Sequence, residues 1–252
     1  MTGPRVRDIP HPARLVVEIE PDHAAPADPA VEAAWAQRRA ANPRLFNGPV
    51  LAWASDPLAF DGRTVRARRD EYRRLAVQPD IATGVMQLSV TGVVIAPDHA
   101  GRPHVCLARR APSTRIYGGL WELAPSGGVD PPPAGDRTLD AADLFAQLML
   151  ELTEELGLAI EPDPGTPICV VTDPVAMSAD VVIRVDAVRP VEELVAGADA
   201  SPRASRWEYD AVRWIAVDEV GAFVRAAGRE AVIPPTLDVL EHLGWIGAPS
   251  AG

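Results

Sequence analysis

Between Asp140 and Gly157 the chain carries Glu151, Glu154 and Glu155 and no basic residue. At about 100° per residue, Glu154 and Glu155 fall to either side of Glu151, so a helix here puts the three carboxylates on one face. Asp140, Asp143 and Gln147 fall on or beside that face one to three turns earlier, while Phe145, Leu148, Met149, Leu152 and Leu156 gather on another. A solvated helix usually alternates charge signs. Here Glu151 and Glu155 are a like pair four apart, and Glu154 and Glu155 lie near the C-terminal end, where the macrodipole disfavours anions. Penalties of roughly a few tenths of a kcal/mol each point to an external cation. Ligands that are all oxygen suit Mg²⁺ or Mn²⁺ better than a Cys/His zinc site suits them. The competing reading of the same residues is a solvated acidic face.

The elements around this segment must position it. A strand is expected at Gly118–Ala124, then a Pro125-Ser126-Gly127-Gly128 loop, extended through Gly135, then a helix over Asp140–Leu156 ended by Gly157. Gly127 and Gly128 allow backbone to approach a metal or substrate closely. Before them, Leu88–Ile95 and His104–Leu107 read as strands around a Pro97–Gly101 hairpin loop. After them come strands near 167–172, 181–188 and 211–217 and helices near 218–227 and 234–243. Strands on both sides of a central helix give an α/β (α+β) sandwich with a mixed sheet. Residues 1–85 read as an ordered extension, with a strand over 13–20, a helix from Pro29 to Ala41 capped by Asp28, short strands near 50–54 and 64–67, and an Arg-rich helix at 69–76. Residues 86–252 form the main domain.

Charge sharpens the search. The chain has 252 residues and a net charge of −11, and all 24 of its basic residues are Arg. A Schiff-base or P-loop lysine is therefore excluded. Residues 130–164 hold nine acids and one Arg, so the acidity is concentrated around the helix. Net acidity argues against binding nucleic acid through bulk electrostatics, though not against a small diphosphate bridged to carboxylates by a cation. Cys106 and Cys169 sit in apolar runs and read as reduced, buried thiols. Neither a secretory leader nor a membrane span is evident, so a cytoplasmic location is expected.

The order of parts resembles the Nudix hydrolase superfamily. Leu150-Glu151-Leu152-Thr153-Glu154-Glu155-Leu156-Gly157-Leu158 is similar to the second half of its signature, except that Leu150 stands where the family has Arg. Leu120-Trp121-Glu122-Leu123-Ala124-Pro125-Ser126-Gly127-Gly128-Val129-Asp130 is similar to the first half. Val212-Arg213-Trp214-Ile215 before Asp218-Glu219 also looks like the family, and the likeness covers roughly residues 86–245. The loop from Gly128 to Glu151 is eight residues longer than the standard spacing. That departure, the missing arginine and Asn42-Pro43-Arg44-Leu45-Phe46-Asn47-Gly48 in the extension resemble the divergent UDP-glucose/UDP-galactose pyrophosphatase branch.

The resemblance implies a Nudix-type α/β/α sandwich that hydrolyses a nucleoside diphosphate linked to another moiety. A UDP-sugar cleaved to UMP and sugar 1-phosphate is the leading substrate, with ADP-ribose or another nucleotide conjugate as the alternative. It implies Glu151, Glu154 and Glu155 as metal ligands and catalytic groups, with one of them or an acid from another loop as general base. Arg109, Arg110 and Arg115 would meet the diphosphate, together with Gly127 and Gly128, and Arg110→Ala would raise the Michaelis constant more than it alters stability. Trp121 reads as core in preference to a base-stacking surface. The basic cluster Arg66, Arg68, Arg69, Arg73 and Arg74 is expected to pair with the acidic body. The contrasting reading is a catalytically weak ligand-binding or sensor module, which Leu150 favours and the intact glutamates oppose.

Overall fold

The computed structural model describes residues 5–21, 27–158, 160, 164–199 and 208–247. Residues 1–4, and Glu161 and Asp163 of the acidic block, lie outside them. In chain order the first half contains β1 (Val6–Asp8), β2 (Val16–Ile19), α1 (Pro29–Ala41), β3 (Pro49–Trp53), β4 (Thr64–Glu71), α2 (Tyr72–Ala76), β5 (Gln87–Pro97) and β6 (Pro103–Arg110). Next come β7 (Trp121–Leu123), β8 (Ser126–Gly128), β9 (Thr138–Asp140), α3 (Ala141–Leu156), β10 (Thr166–Asp173) and β11 (Ser178–Asp186). The last are α4 (Val191–Asp199), β12 (Tyr209–Ala216), α5 (Val220–Ala227) and α6 (Pro234–His242).

The strands form one mixed sheet whose main path runs β1-β10-β11-β5-β3-β4-β2-β9. β5 is its axis. One edge of β5 pairs in parallel with β11 over nine residues; along its other edge β3, β8 and β6 follow one another. β6 also carries β7 and β12. Alternation along β5 sends Leu88, Val90 and Val94 to one face and Val93 and Ile95 to the other. The first face packs against Leu144, Leu148, Leu152 and Leu156 of α3, and the second against Val220 and Val224 of α5 and Val239 and Leu240 of α6. Helices therefore cover both faces of a mixed sheet, as the sequence led us to expect.

Helix α3 begins with a reciprocal cap. The Asp140 carboxylate accepts from the N–H groups of Ala142 and Asp143, and Asp143 accepts from the Asp140 N–H at 2.9 Å. Gly157 ends it with φ 66°, a left-handed position where a side chain would be strained. Each of the four buried leucines contributes roughly 1.5–3 kcal/mol by leaving water, enough to hold an acidic helix in place despite its local repulsions.

The segment before residue 86 adds strands to the same sheet. β1 lies along β10, β3 meets β5 at Ala52↔Gln87, and β2 pairs with β4 and with β9 from the lengthened loop. β1 and β9 were not foreseen, because three-residue strands carry too little periodicity to be read, and the helix α4 was not foreseen either. The expected loop at 125–128 is corrected in part: Ser126–Gly128 is a strand, drawn onto the edge of β5 although two of its residues are glycines. The basic cluster also differs from expectation. Arg73 pairs with Glu32 and Glu71, and Arg68 and Arg74 pair with the buried Asp70, so these arginines neutralise acids of their own segment. Arg69 donates to the carbonyls of Pro132 and Pro133 and so fastens the lengthened loop.

Candidate active site

Adjacent residues on β8 point to opposite faces, and the two glycines show what each face holds. A Cβ at Gly127 would overlap the Glu151 carboxyl of α3, and one at Gly128 would overlap the Gln87 amide in a cleft on the far side. α3 thus presses its carboxylates against the back of a strand whose front lines a cleft of about 940 Å³. Ser126, Gly127 and Gly128 line that cleft together with Glu122, Glu208 and Arg110. Arg38, Arg44 and Tyr72, from the first 85 residues, form part of its wall.

The carboxylates form a network that reaches beyond α3. Glu122 on β7 is 3 % exposed and accepts from Arg110 Nη1 at 2.7 Å. The Tyr209 hydroxyl lies between Glu122 and Glu155, 3.2 Å from Glu155 Oε2. Glu155 also accepts from the Ser126 N–H at 3.3 Å and lies within hydrogen-bond reach of the Glu208 carboxyl. Burial, reinforced by Glu208, Glu151 and Glu122, holds the Glu155 carboxyl well above the usual carboxylate range. Burial also raises Glu151, partly offset by Gln147, whose amide donates to it at 2.9 Å. Gln147 thereby orients Glu151 from the same helix, while Leu150 is solvent-exposed. Glu154 is exposed too.

Buried carboxyls that crowd one another favour a proton or a cation among them. The donors here are all oxygen, which suits Mg²⁺ or Mn²⁺. Among the described residues no three His, Cys, Asp or Glu side chains already surround a single point as a formed metal centre. The donor chemistry fits a divalent cation.

The arginines divide by their partners. Arg109 is partly exposed, bridges both oxygens of Asp210 and lies over the Trp121 ring at 5.7 Å, outside the cleft. Trp121 is 8 % exposed, packed edge-on against Phe223. Arg110 is the counter-ion of the buried Glu122, which changes the expectation made for it: Arg110→Ala should destabilise the fold by about 3 kcal/mol, because it strands a buried charge. Arg115 lines the cleft and has no side-chain hydrogen bond or ion pair among the described residues. Desolvation, with Arg38 and Arg110 nearby, lowers its pKa. Arg115→Ala should therefore leave the unfolding midpoint unchanged and raise the Michaelis constant, a contrast that urea titration and steady-state kinetics would read directly.

Sequence reasoning missed Glu208, Tyr209, Asp173 and Asp180, all close to or lining the cleft. Asp173 accepts from the Tyr117 hydroxyl at 2.9 Å, and Tyr117 holds a positive φ of 59° to reach it. Burial pushes the Asp180 carboxyl up to about 6. Because that value exceeds the unfolded one of about 3.9, the group opposes folding once ionised. Its contribution is fully present below about pH 4 and is lost as pH rises through about 6. Asp180→Asn should therefore gain stability over the unaltered chain by about 3 kcal/mol between pH 4 and pH 7.5, measured by urea unfolding at both.

No family model matches the sequence, and no curated protein matches it. Among solved structures, a Nudix hydrolase from Alicyclobacillus acidocaldarius is 19 % identical, with 68 % of this chain and 95 % of that one covered at a TM-score of 0.46. The MutT protein from Methanosarcina mazei Go1 is 21 % identical, over 63 % and 92 % of the two chains, at 0.42. The Nudix domain of Shewanella oneidensis NrtR, solved in complex with ADP-ribose, is 18 % identical, over 66 % and 91 %, at 0.39. Among the described residues no helix is long and apolar enough to cross a membrane.

Proposed function

We propose that this chain is a Nudix-type hydrolase that uses Mg²⁺ or Mn²⁺ to split a nucleoside diphosphate linked to another moiety, most favourably a UDP-sugar yielding UMP and sugar 1-phosphate. The observation that carries the reading is that α3 holds Glu151 against Gly127 and Glu155 against the Ser126 N–H, at the back of a strand lining a cleft with Arg110 and Arg115. Cations are needed where a diphosphate is to be attacked by water, and carboxylates held in mutual contact are how a protein keeps a divalent one. Glu151, Glu154 and Glu155 are the proposed ligands. When bound, the metal supplies charge neutralisation at the phosphate oxygens and acidifies water. Glu208 is the acid from outside the helix that is placed to take up a proton next to Glu155. Arg115 and Arg44, whose side chains make no ion pair among the described residues, are left to meet phosphate oxygens, and Arg suits such bidentate contacts.

The test is a panel of UDP-sugars, ADP-ribose, dinucleotides and nucleoside triphosphates assayed with and without Mg²⁺. Metal-dependent release of a nucleoside monophosphate from one class is expected. Absence of metal-dependent turnover throughout the panel would replace this reading with that of a ligand-binding module.

A further inference from the structure

The floor of the cleft is polar where the sheet would otherwise continue as core. On one face of β5, Gln87, Ser89 and Thr91 occupy alternate positions before Val93 and Ile95 take over. On the same face of β11, Ser178 and Asp180 precede Val182. The parallel register sets Ser178 beside Gln87 and Asp180 beside Ser89, and β8 brings Ser126 beside Thr91. All six polar residues line the cleft.

Asp180 is the least satisfied of them. It is 8 % exposed. Its Oδ2 accepts from the Thr91 hydroxyl at 2.9 Å, and Thr91 Oγ1 is in turn 2.9 Å from Ser126 Oγ. The Ser178 hydroxyl also lies within hydrogen-bond reach of the carboxyl, while Oδ1 is buried and meets no donor among the described residues. A buried carboxylate oxygen without a donor is destabilising until one arrives. The charged groups acting on Asp180 are Asp173 and Glu122, both acidic, so an anion is repelled there. The same acids would draw an ammonium group as well, but what immediately surrounds Asp180 is hydroxyl-bearing: Thr91, Ser126 and Ser178. Tyr117, which lines the same cleft, has its hydroxyl committed to Asp173. Serine and threonine hydroxyls donate and accept, as alcohols do.

We infer that Asp180, with Thr91, Ser126 and Ser178 around it, receives a hydroxyl of an uncharged, polyhydroxylated moiety carried by the substrate, and so selects a sugar at that end. The inference rests on the reading of the site as a nucleoside-diphosphate hydrolase and adds the residue that chooses the second moiety. A buried group that needs a substrate hydroxyl discriminates strongly against an analogue lacking one, because the analogue leaves it unpaired.

Asp180→Asn keeps an oxygen for Thr91 and turns the unpaired acceptor into an NH₂ donor. The unaltered chain and this variant would be compared, in Mg²⁺, on a UDP-hexose and on the methyl and ethanolamine esters of UDP. The unaltered chain should prefer the hexose by about tenfold or more in kcat/KM. The variant should lose that preference through a higher KM for the hexose, with the methyl ester unchanged. A preference that survives in Asp180→Asn, or one for the ethanolamine ester that the variant abolishes, overturns the inference and leaves the hydrolase reading standing. Turnover of none of the three, by a chain equally inert towards the wider panel, removes both. If Asp180→Asn fails to fold, Thr91→Val, which removes the hydroxyl held by Asp180, is put through the same comparison with the same outcomes.

Discussion

Replacing Glu155 by Gln is expected to lower metal-dependent turnover by about a thousandfold, the scale on which loss of a charge-stabilising or proton-transferring group acts, and to raise the unfolding midpoint at pH 7. The two effects have one origin. Glu155 is crowded by Glu208, Glu151 and Glu122, and burial with this repulsion holds its folded-state pKa above the unfolded one. Its contribution to stability is therefore present at low pH and lost as pH rises through the folded value, so the gain from Gln appears at neutral pH and fades towards pH 4. Gln retains an oxygen for the Ser126 N–H and the Tyr209 hydroxyl, which keeps the local packing. Thermal unfolding with and without millimolar Mg²⁺ supplies a readout independent of activity. The cation should raise the midpoint of the unaltered chain by binding the folded state, and raise that of the variant much less. Glu154→Gln, at an exposed position, should lose turnover without the stability gain. A Glu155→Gln chain that is fully active, or one less stable at pH 7, would sink the assignment.

Gly127→Ala should cost about a hundredfold in turnover, because misplacement of a catalytic group by about 1 Å has effects of that order. The added methyl group would overlap the Glu151 carboxyl, which is the movable end of a flexible side chain. The chain relieves the clash by swinging Glu151 aside, away from its hydrogen bond with Gln147. Stability should change by less than about 1 kcal/mol, since Gly127 has no left-handed backbone to strain and no core atom is displaced. The signature is thus an active-site defect in a well-folded chain, checked by kinetics beside a urea titration. An unaffected turnover would show that Glu151 is not held by β8.

The helix and its neighbours were legible because their signals are local. Asp140 and Gly157 mark both ends of α3, and the spacing of Leu148, Leu152 and Leu156 gives its buried face. That Glu151 and Glu155 share a face also follows from spacing, but that this face meets β8 does not, since 126–128 read as a loop. Their partners were not legible, since Glu122, Glu208 and Tyr209 reach them only through the pairing of β6 with β7 and with β12. Arg110 shows the same limit. Its residue type suits phosphate, but register sets it against Glu122. For the cleft floor a signal did exist. Gln87, Ser89 and Thr91 alternate within a strand whose other residues are all apolar or glycine, and a buried strand has no packing reason for them.

The pairing of β1 with β10 has a consequence for how the chain is made. Val6 meets Val171, so the first strand has no partner until synthesis has passed that residue. At about 5–20 residues per second that wait lasts roughly 10–30 s. Throughout it Val6–Asp8 is without the strand it pairs with here, and once β10 exists its outer edge stays open to neighbouring molecules until β1 docks. A strand of three residues, Val6–Asp8, thus closes that edge of the sheet, and it is made well before the strand it covers.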